Sequence, residues 1–271
     1  MDFKSKGPFQ DPGSSFYDWL SAQHPDVLPG VRLRAAEVAI EGPRSPMISH
    51  GTTVLALKYR DGVIIAGDRM ATEGYQVSAR RIEKVYKVDE HSAIAIAGAA
   101  GPCIELAKLF QTELEHYEKL EGAELSTDGK ANKLSQMVKG NLPMALQGLV
   151  VIPLFVGFDL KRNEGRIFKY DITGGRYEET DYFSTGSGGK DARTTMKKLY
   201  QPALDETEAV RTVLEALYDA AEEDIGTGGP DLIRGIYPTV KTVTVKGVTD
   251  VDENQLRQSY GRLIETRKRG S

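Results

Sequence analysis

The chain has 271 residues, of which 40% are hydrophobic and 27% charged, with a formal net charge of −4. This length can form one large domain or two modest ones, and the mild acidity argues against nucleic acid as a partner, because phosphate binding needs a basic surface. The single cysteine excludes an intrachain disulfide framework and a multi-cysteine metal site, so a reducing cytoplasm is expected. No apolar run approaches the roughly 18 residues that cross a bilayer, and no secretory h-region begins the chain, so no membrane partner is expected.

Residues 1–50 read as an appendage, because repeated Pro and Gly residues break any long element there. One short helix is predicted, since Ser15 and Asp18 have the spacing of a capping box. Trp19, which follows, is the only tryptophan. A large aromatic residue here suggests a docking contact, and the alternative is a disordered tail with an incidental aromatic residue.

From Thr52 onward the pattern is that of a folded domain. Two hairpins are predicted first, with strands at 52–59 and 63–67, then at 84–89 and 92–97. Pro102 should open a helix that continues through Tyr117. A second helix should cover about 130–147, where Pro143 would kink or shorten it.

The second half of the domain repeats this order of strands followed by helices. Residues 149–158 form an almost continuous apolar run, typical of a strand buried on both faces. Further strands are predicted at 166–170, 177–180, 182–185 and 238–245, and further helices at 191–200, 206–223 and around Leu256 to Ile264. Such blocks favour sheets packed face to face with helix pairs outside them, rather than a strictly alternating parallel fold.

The junction between Gly51 and Thr52 carries the most specific chemical possibility. If this bond is cut, Thr52 holds a hydroxyl and a free α-amine, whose reference pKa is about 7.7 to 8.0. One residue could then supply both nucleophile and base. By itself, a threonine at the start of a strand is ordinarily only a strand residue.

Three further residues have both an ordinary and a catalytic interpretation. Asp68 ends the second strand beside Arg69, which usually means an exposed ion pair, and Lys84 is ordinarily a surface lysine. The catalytic alternative is a buried ammonium paired with Asp68 near Thr52, where it would lower the pKa of the amine. Gly98 lies between a strand and a helix, where backbone N–H groups suit a developing oxyanion, or it is an ordinary turn.

Other chemistries find little support in the sequence. The glycine-rich run at 186–190 fails as a phosphate loop, because Ser184 and Asp191 stand where Gly and Ser or Thr are required. No serine lies in a G-x-S-x-G elbow, and no G-x-G-x-x-G follows a first strand. Cys103 has no basic neighbour in sequence and is expected to be a small core or pocket residue. The segment 224–229 alone is a helix end followed by a glycine turn.

Taken together, these residues resemble the proteasome β-subunit family, and most closely the actinobacterial 20S core particles. The matching elements are Gly-Thr-Thr at 51–53, Gly-Asp-Arg at 67–69, Lys84, Ala-Gly at 97–98, Gly-Ser-Gly at 186–188 and Asp-x-x-Thr-Gly-Gly at 224–229. The segments 115–122 and 229–236 look particularly actinobacterial. The resemblance implies an α+β fold, a four-layer αββα sandwich of the N-terminal-nucleophile hydrolase type.

The same resemblance implies roles for the candidate residues. Residues 1–51 would be a propeptide removed by self-cleavage between Gly51 and Thr52, leaving 52–271 as the peptidase domain. Thr52 would be the nucleophile and its amine the base, supported by the Asp68–Lys84 ion pair and by an oxyanion hole at the Gly98 N–H. The residues implied around the amine and its water are Ser187, Asp224 and Thr227. Thr227 stands where many relatives carry serine, so the hydroxyl is kept.

Substrate and partners also follow from the resemblance. Thr72, Gly98 and Ala100 would align an unfolded protein substrate as an added strand. The specificity pocket would be formed by Ala71, Ile82, Ile96 and Ile104, an apolar and uncharged wall that predicts cleavage after hydrophobic residues. No cofactor is implied. The implied partners are proteasome α-subunits, other β-subunits in stacked seven-membered rings, and a ring ATPase acting through the α-ring; the segment around Trp19 would then serve assembly or mask the nucleophile.

Two alternatives stay open from the sequence. The chain could be a catalytically silent ring subunit with the same fold, although such relatives typically lose the threonine or the lysine. It could also be a different N-terminal-nucleophile enzyme, such as a small-amide hydrolase or a peptidase built from six-membered rings. The segments after residue 115 argue against this second alternative.

Overall fold

A computed structural model of the protein describes residues 51–73 and 76–270. The short helix expected near Ser15 and Trp19 lies outside these residues. The strands are β1 (Thr53–Tyr59), β2 (Gly62–Gly67), β3 (Ala71–Glu73), β4 (Gln76–Ala79), β5 (Val85–Asp89), β6 (Ser92–Gly98), β7 (Val151–Asp159), β8 (Glu164–Tyr170), β9 (Arg176–Glu179), β10 (Tyr182–Gly186), β11 (Thr239–Thr244) and β12 (Gly247–Asp250). The helices are α1 (Ala100–Glu121), α2 (Thr127–Gly140), α3 (Leu142–Leu146), α4 (Gly189–Leu199), α5 (Glu206–Glu223) and α6 (Glu253–Gly270).

Two antiparallel sheets form the centre of the described domain. The first has the strand order β10-β1-β2-β11-β12, and the second has the order β5-β6-β7-β8-β9. Because side chains alternate along a strand, β1 sends Val54 and Ala56 toward the other sheet and Leu55 and Leu57 toward the helices. Both sets are fully buried, which explains why β1 reads as a continuous apolar run.

Helices cover the outer face of each sheet. Residues of α4, α5 and α6 pack on the first sheet around Met196, Leu214 and Tyr260, all essentially inaccessible to solvent. Residues of α1 and α2 pack on the second sheet, where Phe110 meets Phe155 edge-on at 6.0 Å between ring centroids. The order helix, sheet, sheet, helix is the four-layer αββα sandwich, and the predicted fold class is confirmed.

The second helix differs from its prediction at both ends. α2 begins at Thr127 rather than near 130, because the Ser126 hydroxyl accepts the Gly129 N–H at 3.2 Å and caps it. Pro143 does more than kink this helix. α2 stops at Gly140, and Pro143 falls in the first turn of the separate helix α3, where its missing N–H has no cost.

Three short strands were not predicted. β3 and β4 pair as a two-stranded hairpin, but β4 is mostly exposed and shows no apolar alternation. β12 has four residues, and it pairs only with β11. Short edge strands of this kind are set by their neighbours rather than by their own composition, so periodicity does not detect them.

One buried cation is the centre of an ion network on the second sheet. Arg166 of β8 is 2% exposed, and its guanidinium donates to Glu178 at 2.8 and 2.6 Å and to Asp128 at 2.7 and 3.2 Å. Asp159 lies 3.2 Å from the same group. These hydrogen bonds hold the pKa of Asp128 down to about 2.

Within residues 51–73 and 76–270, no helix combines the length and the apolar composition that a bilayer crossing requires.

Candidate active site

Thr52 is held immediately before β1 by the neighbouring strand β10. Thr53 pairs with Gly186, and the next N–H, that of Ser187, donates to the Thr52 carbonyl at 2.9 Å. Gly186 has φ +102°, and a Cβ there would lie 1.9 Å from the Thr52 carbonyl oxygen. Only glycine allows this approach, so the turn after β10 fixes the backbone of Thr52.

The side chain of Thr52 faces the preceding peptide bond. Its Oγ1 donates to the Gly51 carbonyl oxygen at 2.7 Å, and its backbone nitrogen donates to Ser187 Oγ at 3.2 Å. The Gly51 N–H in turn donates to Thr72 Oγ1 at 3.2 Å. Thr52 is only 5% exposed. The hydroxyl therefore lies beside the carbonyl of the peptide bond between Gly51 and Thr52, and cleavage of that bond would free the Thr52 amine.

Asp68 and Lys84 form a buried ion pair next to Thr52. Lys84 Nζ donates to Asp68 Oδ1 at 2.8 Å and to the Met70 carbonyl at 2.6 Å. Asp68 also accepts the N–H groups of Thr53 at 2.9 Å, Met70 at 2.9 Å and Gly228 at 3.0 Å. Burial lowers the pKa of Lys84, and the Asp68 carboxylate opposes that shift. The sequence could not distinguish this pair from two surface charges, and the structure brings them together.

A second carboxylate, Asp224, follows α5 and accepts hydrogen bonds from two hydroxyl groups, one of which also contacts the Thr52 nitrogen. Ser187 Oγ and Thr227 Oγ1 each lie 2.5 Å from Asp224 Oδ2. Oδ1 accepts the Gly226 N–H at 3.0 Å. The glycine turn after Asp224 is thus more than a helix cap, because it wraps around the carboxylate.

A pocket opens beside Thr52 and includes Gly51 in its wall. All four predicted wall residues line it, and so do Gly98 and Ala100. The remaining lining residues are Glu83, Lys84, Tyr86 and Cys103. The expectation of an uncharged wall is therefore wrong, because an acidic residue, Glu83, and a basic one, Lys84, contribute to it. Glu83 lies between Ile82 and Lys84, just before β5 begins, and its residue type alone does not distinguish it from an exposed surface carboxylate.

Cys103 is a pocket residue, as the sequence suggested. It is 6% exposed, and burial raises the pKa of its thiol to about 12, with only partial compensation from the Lys84 cation. A thiol with this pKa is protonated at neutral pH and is a poor nucleophile. The geometry gives Cys103 a packing role.

Gly98 ends β6 with φ +136°, a conformation that other residues rarely adopt. A Cβ at this position would lie 2.0 Å from the Val150 carbonyl oxygen. The turn from β6 into α1 therefore needs glycine for both backbone conformation and space. It places Gly98 in the wall of the pocket that Thr52 also lines.

Several contributing groups were missed from the sequence. The Met70 carbonyl and the Gly228 N–H hold the ion pair, yet backbone groups leave no trace in residue type. The sequence places Thr53 in a strand and in the Gly-Thr-Thr element but assigns its side chain no role, although its hydroxyl lies 2.6 Å from Thr227 Oγ1. The repeated threonine after Gly51 was the available signal. In the part of the chain that the structure describes, no three His, Cys, Asp or Glu side chains converge to hold a metal ion.

Comparison with known proteins agrees with this geometry. The family model described as proteasome subunit matches residues 48–232. Similar proteins include the proteasome subunit beta of Acidimicrobium ferrooxidans, 48% identical over 265 residues (97% of this chain and 94% of that protein). Those of Acidothermus cellulolyticus (53% over 245 residues, 89% and 83%) and Streptomyces griseus (51% over 256 residues, 93% and 89%) are also similar. On the match and the fold together, the chain belongs to the proteasome subunit family, in its β-subunit branch.

Proposed function

We propose that Thr52 is the nucleophile of this chain and becomes reactive when the chain cleaves its own bond between Gly51 and Thr52. The chain is a catalytic 20S proteasome β-subunit, a threonine-type endopeptidase that assembles with α-subunits in the core particle. The observation that carries the residue assignment is the 2.7 Å contact between Thr52 Oγ1 and the Gly51 carbonyl oxygen. This contact places the hydroxyl next to the bond that must break.

Self-cleavage begins with attack of Thr52 Oγ1 on the Gly51 carbonyl carbon. The new C–O bond forms, the C–N bond to Thr52 breaks, and the hydroxyl proton ends on the Thr52 nitrogen, which becomes an amine. Water then hydrolyses the ester and restores the hydroxyl, leaving a carboxylate on Gly51. The Gly51 backbone packs directly on Gly226, so this carbonyl is held in place while the hydroxyl attacks.

Peptide hydrolysis would use the freed amine of Thr52 as base. The amine takes the hydroxyl proton as Oγ1 attacks the substrate carbonyl, and it returns that proton to the leaving amine of the substrate. The Lys84 ammonium, held by Asp68, stabilises the negative charge on Oγ1, and the Gly98 N–H is assigned to the oxyanion. Ser187, Asp224 and Thr227 hold the amine and the water that hydrolyses the acyl-enzyme.

The substrate assignment follows from the pocket and its rim. Thr72, Gly98 and Ala100 would pair with the backbone of an unfolded substrate as an added strand. The four apolar wall residues favour hydrophobic side chains before the scissile bond. Glu83 adds a negative charge to this wall and disfavours acidic side chains.

The domain boundaries and the finer partner assignments belong to the same proposal. Residues 1–51 are a propeptide, and 52–271 are the peptidase domain. The particle is cytoplasmic, has four stacked seven-membered rings with β-subunits in the inner pair, and receives substrates from a ring ATPase through the α-ring. The segment around Trp19 aids assembly or masks Thr52 until half-particles meet. Deletion of residues 1–50 with unimpaired assembly and full activity would refute a required role for that segment.

The first test is the intact mass of the chain after co-expression with its α-subunit. Wild type and Thr52→Ser, which keeps the hydroxyl, should give the mass of residues 52–271. Thr52→Ala should give the full-length mass within an assembled particle. A full-length wild-type chain in assembled particles would instead favour the silent ring subunit.

A further inference from the structure

Thr53 connects the two carboxylate groups of the site. It is 0% exposed, and its backbone N–H donates to Asp68 Oδ1 at 2.9 Å. Its hydroxyl lies 2.6 Å from Thr227 Oγ1 and accepts the Gly188 N–H at 3.0 Å. The residue next to the nucleophile therefore contacts the Asp68 side through its backbone and the Asp224 side through its side chain.

The directions of the hydrogen bonds around Asp224 can be assigned by counting protons. An ionised carboxylate only accepts, and a hydroxyl has a single proton to donate. Ser187 Oγ and Thr227 Oγ1 both lie 2.5 Å from Asp224 Oδ2, so each gives its proton to that oxygen. Thr227 then has no proton left for Thr53, and Thr53 must donate to Thr227. Ser187 Oγ, for the same reason, meets the Thr52 nitrogen only as an acceptor.

We propose that Thr53 is a positioning residue whose hydroxyl orients the hydrogen-bond chain Thr227–Asp224–Ser187, so that Ser187 Oγ accepts from the nitrogen of Thr52. This inference rests on the proposed role of Thr52. Without the Thr53 hydroxyl, Thr227 Oγ1 loses its donor and the Gly188 N–H loses its acceptor. Gly188 directly follows Ser187, so the peptide unit that carries Ser187 would lose a contact that fixes it.

The effect on the freed amine has a definite sign. An acceptor oxygen at the nitrogen stabilises the protonated amine, as do the carboxylates of Asp68, Asp224 and Glu83, whereas the Lys84 ammonium destabilises it. The remaining ionisable groups of the pocket, the Cys103 thiol and the Tyr86 phenol, are neutral at the pH of the assay, because burial raises the pKa of each to about 12. Loss of the oriented Ser187 oxygen therefore makes the amine easier to deprotonate and less well placed as a base. Thr53 does not line the pocket, so substrate binding should be unaffected.

The experiment compares Thr53→Val, which removes only the hydroxyl, with Thr53→Ser, which keeps it, in particles assembled with the α-subunit. With a fluorogenic peptide, Thr53→Val should lower kcat about five- to tenfold, the effect of losing one buried hydrogen bond, with KM unchanged. The acidic limb of its kcat–pH profile should move to lower pH. Thr53→Ser should match wild type. The control is Thr212→Val, which removes an equally buried hydroxyl whose hydrogen-bond partner among the described residues is the Glu208 carbonyl in α5, and it should leave kcat and the pH profile unchanged.

A Thr53→Val particle that assembles but stays unprocessed, while Thr53→Ser is processed, supports the proposal. Wild-type kcat and pH profile in Thr53→Val overturn it, and so does failure of Thr53→Val alone to assemble, which makes the hydroxyl structural. Additive losses in the double variant with Thr227→Val would also contradict a shared chain. Activity in Thr52→Ala particles would sink the proposed function itself, whereas inactive Thr52→Ala with normal Thr53→Val sinks only this inference.

Discussion

Lys84 Nζ lies 2.8 Å from Asp68 Oδ1, with 7% of the lysine side chain and none of the aspartate side chain exposed. The two partners depend on each other unequally. Asp68 also accepts three backbone N–H groups, whereas the other acceptor recorded for Lys84 is the Met70 carbonyl. The carboxylate would stay solvated by the backbone if the lysine were neutral, but the lysine depends on the carboxylate.

Because Asp68 has more hydrogen-bond partners than Lys84, the substitutions Lys84→Met and Asp68→Asn should have different consequences. Lys84→Met should assemble, because Asp68 keeps its three donors, but it should lose at least about 100-fold in kcat and fail to self-cleave. Asp68→Asn turns an amide N–H toward a backbone donor and leaves the buried Lys84 ammonium without its counter-charge, so it should cost about 3 kcal/mol of stability. Thermal unfolding of assembled particles and peptide hydrolysis check both. A Lys84→Met particle less stable than Asp68→Asn would contradict the argument.

Gly51 predicts a steric requirement for self-cleavage. A Cβ at this residue would lie 2.0 Å from Gly226 Cα and 2.4 Å from the Gly226 carbonyl oxygen. Gly51→Ala should therefore displace the carbonyl from Thr52 Oγ1 and slow processing at least about tenfold. The matched control is Gly229→Ala, in the loop that contains Gly226. Its Cβ would lie 3.4 Å from Ala221 Cβ, an ordinary van der Waals contact. Intact mass against time after synthesis gives both rates, and equal rates for the two variants would remove the steric argument.

The pocket predicts an order of cleavage preferences. Hydrophobic residues before the scissile bond should be cleaved fastest, because Ala71, Ile96 and Ile104 form the wall. Acidic residues should be slowest, since Glu83 repels them. Glu83→Gln should narrow the gap between acidic and hydrophobic peptides by raising kcat/KM for the acidic ones. A fluorogenic panel measures this, and an acidic peptide ranking first for wild type would refute the assignment.

The ion network at Arg166 predicts a pH-dependent contribution to stability. Asp128 has a folded pKa of about 2, below its ordinary 3.8. Its stabilising effect is therefore complete above about pH 4 and is lost as the pH falls toward 2. Arg166→Met should cost about 2 kcal/mol at pH 7, because Glu178, Asp159 and Asp128 lose the cation that they share, while solvent and the Arg176 contact to Asp128 at 3.0 Å moderate the loss. The variant should also lose less stability than wild type as the pH falls from 4 to 2.

The control for this network is Arg162→Met. Arg162 is 55% exposed and lies 3.9 Å from Asp159, so its removal should change stability by less than about 1 kcal/mol. Thermal unfolding of assembled particles at pH 7 and pH 3 measures both variants. Equal losses of stability for Arg166→Met and Arg162→Met at pH 7 would show that burial of the Arg166 guanidinium does not increase its contribution to stability.

The layered fold could be predicted from the sequence because its central strands are long and apolar. β1, β2, β6 and β7 are buried on both faces, so their residue types alone reveal them. The hairpin of β3 and β4 could not be found, because its side chains are polar and mostly solvent-facing along β4. Its role is positional: it carries Ala71 and Thr72 to the pocket and to the Gly51 N–H.

The site was only partly accessible from the sequence. Thr52, Asp68 and Lys84 become candidates through the resemblance, since alone each has an ordinary interpretation as a strand or surface residue. Residue type does not reveal a group that acts through the backbone, such as the Gly228 N–H. It also does not reveal a hydroxyl whose role depends on the direction of its hydrogen bond, such as that of Thr53. Glu83 lines the pocket, but its residue type and its position before β5 do not distinguish it in the sequence from an exposed surface carboxylate.

The position of Gly51 has one further consequence. Gly51 is part of the wall of the pocket in which the substrate is expected to bind, and it is also the residue whose carbonyl faces Thr52 Oγ1. While the bond is intact, Gly51 lines the site and the Thr52 nitrogen is an amide, which cannot act as base. Under the proposed self-cleavage, a single cut would create the base and release Gly51 from Thr52. Activation would then be all-or-none for each subunit, and the first peptide bond broken by the enzyme would be the one that kept it inactive.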